Sequence, residues 1–160
     1  MKKLEDLFLH LLKDVYHAEK QAVRAMPKMA KSVESDELRQ AFETHQQETI
    51  QQVQRLEQVF EMAGKKPRAE TCPAIQGLVE EAKEVMDGAE DPDVLDAGIL
   101  AAAQAIEHYE IARYGTLRAW AEELGMKDAA RLLQQTLDEE KKTDKLLSEI
   151  AVSRLNREAA

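Results

Sequence analysis

The stretch LAAAQAIEHYEIARYGTLRAWAEEL, Leu100 to Leu124, places Leu100, Ala103, Glu107, Glu110, Tyr114, Leu117, Ala121 and Leu124 at alternating steps of three and four. Those steps keep all of them on one face of an α-helix. The face is apolar at both ends and acidic in the middle, where Glu107 and Glu110 stand one turn apart. Carboxylates are almost never buried alone, so a core stripe that carries two of them needs protons or metal cations between them.

Outward from this stretch the same pattern recurs. Downstream, after Gly125, a helix over about Met126 to Arg154 carries Leu133, Leu137, Glu140, Asp144, Leu147 and Ala151, again with the acids at its centre. Upstream, Asp91 and Pro92 can start the 100–124 helix as cap and first residue. A first helix from about Lys3 to Lys31 follows Leu4, Phe8, Leu11, Val15, Ala22 and Met26, with Glu19 in the slot between Val15 and Ala22 and a kink expected at Pro27. A second, from about Asp36 to Ala63, carries Leu38, Phe42, Val53, Leu56 and Val59, with His45 and Glu48 in its central slots, and stops at Gly64.

The joins near Ser35 and Gly125 are short, so each pair of helices should fold as an antiparallel hairpin. Between the hairpins lies Gly64 to Glu90, with a short helix expected from Pro73 to about Gly88. That connection is long enough to cross the bundle. The expected fold is therefore all-α, a ferritin-like four-helix bundle with a long crossover that carries an extra short helix, formed as one domain over residues 1–160.

With 160 residues, a net charge of −9, six glycines, four prolines and one cysteine, composition agrees with a single helical domain and narrows its partners. No basic cluster calls for nucleic acid or an anionic membrane. Met1-Lys2-Lys3 leads into an amphipathic, charged pattern, and no apolar run reaches the ~20 residues of a membrane span, so a cytoplasmic location is expected. Cys72 has no partner for an intramolecular disulfide.

A di-metal site in such a bundle takes one Glu from each of two helices and a Glu-x-x-His from each of the others. Glu19 and the Glu107/Glu110 pair meet part of that requirement, and the doubled Glu resembles the rubrerythrin branch of ferritin-like proteins. Glu107 and Glu140 are 33 residues apart, a spacing that sets two helix midpoints opposite each other in a hairpin. Neither expected histidine is present: Gln51 follows Glu48 by three and Thr143 follows Glu140 by three. His45, three residues before Glu48, offers a reversed pair, and Asp144 is the candidate replacement on the last helix. Glu19 and Glu48 are only 29 residues apart, and strict correspondence with the second hairpin would bring Gln52 into the site.

The candidate metal ligands are thus Glu19, His45, Glu48, Glu107, Glu110, Glu140 and Asp144. Their oxygen-rich donors, with at most one imidazole, favour iron or manganese over zinc or copper. Two divalent cations balance four carboxylates, so the remaining acids need protons or countercharge from His45 or Arg113. Tyr16, Tyr109 and Tyr114 are either hydrogen-bonding or redox neighbours of the site or ordinary core filler.

Several segments together resemble the YciE/YciF-like stress-associated family of ferritin-like proteins. They are Asp6-Leu7-Phe8, Tyr16-His17-Ala18-Glu19-Lys20, His45-Gln46-Gln47-Glu48-Thr49, Gly64-Lys65-Lys66-Pro67, Ala105 to Thr116 and Glu139 to Asp144. The resemblance implies a homodimeric four-helix bundle with an extra short helix and a carboxylate-bridged metal site. Its activity is left open. The leading expectation is a non-haem di-iron or di-manganese oxidoreductase, an oxidase or peroxidase acting on dioxygen or peroxide. Without a rubredoxin-like cysteine set, such chemistry needs an external electron donor. The alternative is a non-enzymatic stress or interaction protein whose metal site is structural or vestigial. Iron storage would require assembly into a cage.

Overall fold

In the computed structural model, which describes residues 1–160, the helices are α1 Leu4–Ser32, α2 Asp36–Met62, α3 Pro73–Gly88, α4 Pro92–Glu123 and α5 Lys127–Ile150. A π turn over Ala151–Leu155 and a short α6, Asn156–Glu158, complete the chain. The helix ends follow the sequence punctuation. Ser35 Oγ accepts the Leu38 N–H to start α2, and Asp91 Oδ1 accepts the N–H groups of Asp93 and Val94 to start α4. Gly64 and Gly125 take φ of +68° and +72°, conformations that a Cβ disfavours, and end α2 and α4. There the N–H groups of Lys65 and Met126 return to the carbonyls of Phe60 and Ala121.

The hairpins α1–α2 and α4–α5 pack side by side, α2 against α5 and α1 against α4. The crossover helix α3 lies on α4 and touches α1. This is the ferritin-like arrangement of two hairpins with one long crossover. α3 approaches α4 so closely at Gly98 that an added Cβ would stand 2.5 Å from Val85 Cγ1, which explains a glycine inside a long helix. No helix is long and apolar enough to cross a membrane.

As expected, α1 runs through Pro27, and the Val23 carbonyl, which a proline cannot serve, accepts Gln46 Nε2 of α2 at 3.1 Å. One expectation changes in detail. The helix expected over 126–154 is α-helical only to Ile150, and the wider turn that follows carries Arg154, whose Nη2 donates to Ser35 Oγ at 2.5 Å. The α1–α2 join is also held from α4, where buried Asp96 accepts the N–H groups of Glu34 (2.9 Å) and Ser35 (2.7 Å).

The core is divided. One apolar layer gathers Phe8, Leu12, Val15, Leu56, Phe60, Tyr114, Leu117 and Leu133. The other gathers Met29, Leu38, Phe42, Ile99, Leu100, Leu147 and Ile150 toward the opposite end. Each fully buried aliphatic or aromatic side chain contributes about 1.5–3 kcal/mol, and these layers therefore supply the stability against which the polar middle is maintained.

Candidate metal centre

Every long helix places at least one polar side chain in the gap between the apolar layers: Glu19 from α1, His45 from α2, Glu107 and Glu110 from α4, and Glu140 from α5. All five are buried. His45, Glu107, Glu110 and Glu140 each offer a ligand atom within 4.8 Å of the others. His45 Nε2 stands 3.0 Å from Glu107 Oε1 and 3.6 Å from Glu140 Oε2. Its Nδ1 faces the other way, 3.2 Å from Thr143 Oγ1 and 3.5 Å from Glu48 Oε2. Tyr114 Oη donates to Glu19 Oε1, leaving Glu19 Oε2 without a partner.

Five buried carboxylate oxygens make no hydrogen bond: Glu19 Oε2, Glu107 Oε2, Glu110 Oε1 and both oxygens of Glu140. Buried polar atoms are ordinarily paired, and this concentration of orphaned acceptors leaves a defined set of free ligand atoms. Without a cation, protons must take up the charge. Burial raises Glu19 to about 7, against hydrogen bonding from Tyr114. Burial, then the neighbouring acids, raises Glu110 and Glu140 well above the carboxylate range. Glu107 differs. Burial pushes it up, but the charge and hydrogen bond of His45 outweigh that and hold it below its ordinary value. For His45, burial lowers, yet Glu107 and then Glu48 prevail and keep it well above its usual range.

Three of the seven expected ligands lie outside the group of four: Glu19, buried in the same layer and bonded to Tyr114, together with Glu48 and Asp144. Glu48 is 28% exposed and reaches only the Nδ1 side of His45. Asp144 turns to the α4–α5 surface, where it accepts Gln104 Nε2 (3.1 Å) and meets His108 Nε2 (3.1 Å). The α5 residue that faces inward one turn past Glu140 is Thr143. On α2 the interior stripe runs Leu38, Phe42, His45, Thr49, Gln52, Leu56, Val59, so Glu48 falls to its edge. Selecting apolar residues alone chooses Val53 for this face; the hairpin spacing pointed to Gln52, which is fully buried.

Beside the cluster, a polar clasp joins α2 to α5. Arg55 pairs bidentately with Glu139 (2.6 and 2.8 Å), and Gln52 Nε2 donates to the same carboxylate at 3.1 Å. Arg113, a candidate countercharge, instead lies over the Tyr109 ring, 5.1 Å from its centroid. Tyr109 Oη is 3.0 Å from Cys72 Sγ, and Tyr16 Oη donates to Glu57. Tyr114 is thus the tyrosine whose hydroxyl contacts a cluster carboxylate.

Fold and site together define a ferritin-like helical bundle with a buried layer of carboxylates and one imidazole that could hold a metal ion. The chain belongs to the DUF892 family, described as a domain of unknown function, whose model matches residues 3–160. It is 48% identical over 160 residues to protein YciF of Escherichia coli K12, covering 99% of this chain and 96% of that protein. Against the crystal structure of the E. coli stress protein YciF the TM-score is 0.93 at 48% identity, with 98% of this chain and 99% of that one covered. YcfI from Rhodopseudomonas palustris gives 0.92 at 50% identity, with 94% and 96% covered. A Xanthomonas campestris protein, 23% identical with a TM-score of 0.77 and covering 99% of this chain and all 100% of that one, shares the fold.

Proposed function

We propose that the protein binds two divalent metal ions, iron or manganese, in the polar layer and works as a non-haem oxidoreductase on dioxygen or peroxide. The observation that carries this reading is the set of orphaned oxygens on Glu19, Glu107, Glu110 and Glu140 beside His45. Four carboxylates match the charge of two divalent cations, and one nitrogen among oxygen donors suits iron or manganese. Bound metal would supply electron transfer to the oxygen substrate. The chain's own residues shape that site. Tyr114 fixes one oxygen of Glu19, Thr143 orients the imidazole through Nδ1, and the apolar layers exclude water at both ends.

A second reading rests on the 3.0 Å contact of His45 with Glu107 and the raised carboxyls around it: protons alone can hold the layer, and the protein would then be a non-enzymatic stress or interaction protein. Metal analysis of protein purified without chelator, followed by oxygen and peroxide consumption after anaerobic Fe(II) loading, separates the readings. Stoichiometric iron with turnover supports the oxidoreductase. Protein that takes up no metal supports the second reading.

A further inference from the structure

Between α2 and α5 lies a cleft of about 270 Å³ with Glu37, Thr44 and Glu48 on one wall, Lys142 and Leu146 on the other, and His45 and Thr143 at its floor. A second, apolar void of about 20 Å³ lies inside the bundle, with Glu107 and Glu110 on its wall. The cleft and the void share Ala41, His45 and Thr143. The same imidazole therefore separates solvent from the carboxylates. Its Nδ1 faces Glu48 on the cleft side and its Nε2 faces Glu107 and Glu140 on the inner side.

The other approaches bring no cluster residue to the surface. The apolar layers fill both ends of the bundle, and Cys72, Ile75 and Ile106 pack with Ala18 beneath α3. The groove between α1 and α3 also borders the void, through Ala25, Met29 and Ile106, but that wall is apolar and carries no ligand atom; the depression on the α1–α2 face does not reach the void.

We infer that the α2–α5 cleft is the port through which divalent cations enter, with Glu48 as a transit carboxylate and His45 as the gate. This rests on the metal-site reading above. Glu48 suits a transit role because it is partly exposed, reaches the outer nitrogen of the gate and lies outside the group of four ligand residues. A cation passing Glu48 exchanges water for one carboxylate before the imidazole turns aside, so desolvation is divided into steps. Lys142 stands at the mouth and opposes entry, since its charge acts on the same carboxylate.

The test is stopped-flow uptake of Co(II) by the full chain, followed by its visible absorption, beside an equilibrium titration. Thr44→Trp and Leu146→Trp fill the cleft from opposite walls. Each should slow uptake and release about tenfold while leaving the dissociation constant unchanged, since obstruction acts on rates. Glu48→Gln should slow uptake with affinity within about threefold, whereas Glu107→Gln should weaken affinity by about a hundredfold. Lys142→Glu, on an exposed surface, should speed uptake a few-fold at low salt, with the gain lost at high salt.

Wild-type rates in both tryptophan variants, no acceleration in Lys142→Glu, or an affinity loss in Glu48→Gln equal to that of Glu107→Gln would each overturn the port. Wild-type protein that binds no Co(II) overturns the metal-site reading and the port with it. Binding with unaltered variant rates overturns the port alone.

Discussion

Mn(II) should stabilise the wild-type protein, and Glu140→Gln should abolish most of that gain without harming the apo protein. Binding to the native state alone at a hundredfold excess over the dissociation constant adds about 2.7 kcal/mol. For a chain of this size that is a rise of about 5–10 °C in Tm. Losing a ligand that weakens affinity a hundredfold reduces the gain at the same metal concentration to about 0.4 kcal/mol. Neither Glu140 oxygen has a hydrogen-bond partner of ordinary geometry, and burial followed by the contact with Glu107 raises the carboxyl well above its ordinary range, which disfavours the charged form. A neutral amide of the same size should therefore leave apo stability equal or higher. Glu107→Gln should lose the metal response too, but with a cost of about 1.5–3 kcal/mol in the apo state, because it removes the charged partner of His45 at 3.0 Å. Asp144→Asn, outside the cluster, should keep the full metal shift. Thermal melts followed by circular dichroism, with chelator and with Mn(II), give all of these numbers. If Mn(II) shifts no melt and Glu140→Gln destabilises as much as Glu107→Gln, the layer is a structural ion-pair network and the reasoning fails.

The apo protein should lose stability as pH rises. Glu19 has a folded value of about 7 against an ordinary 4.5, so the native state holds more protons than the unfolded chain between them. The stability it contributes is complete below 4.5 and is lost as pH climbs through about 7; Glu110 and Glu140, also raised well above the carboxylate range, act in the same direction. Since metal displaces these protons, the Mn(II) shift should grow over the same window. Apo melting temperatures that increase from pH 5 to about 8 would contradict the protonated layer. Asp96→Ala removes the acceptor of the Glu34 and Ser35 N–H groups, and urea unfolding should show a loss of about 1–3 kcal/mol. A change well below that range would mean that water replaces the carboxylate.

The long helices, their joins and the crossover were legible because each is specified locally. Capping residues, left-handed glycines and the alternation of three and four depend only on near neighbours along the chain. Glu19, Glu107, Glu110 and Glu140 were legible for the same reason: each interrupts an apolar face at its centre, and such a face has one destination. Asp144 and Thr143 are adjacent on α5, and local periodicity allows either to close the stripe. Packing of α5 against α2 and α4 settles it, turning Thr143 to His45 and Asp144 to Gln104 and His108. Likewise the reversed pair on α2 divides between His45 inside and Glu48 at the cleft, since two residues three apart on a helix differ by about 60° around its axis. The roll of each helix about its own axis depends on every contact with its neighbours at once. The sequence by itself determined which helices form and that their middles are acidic; which donor atoms converge, and which nitrogen of His45 meets them, was decided only when four helices packed together.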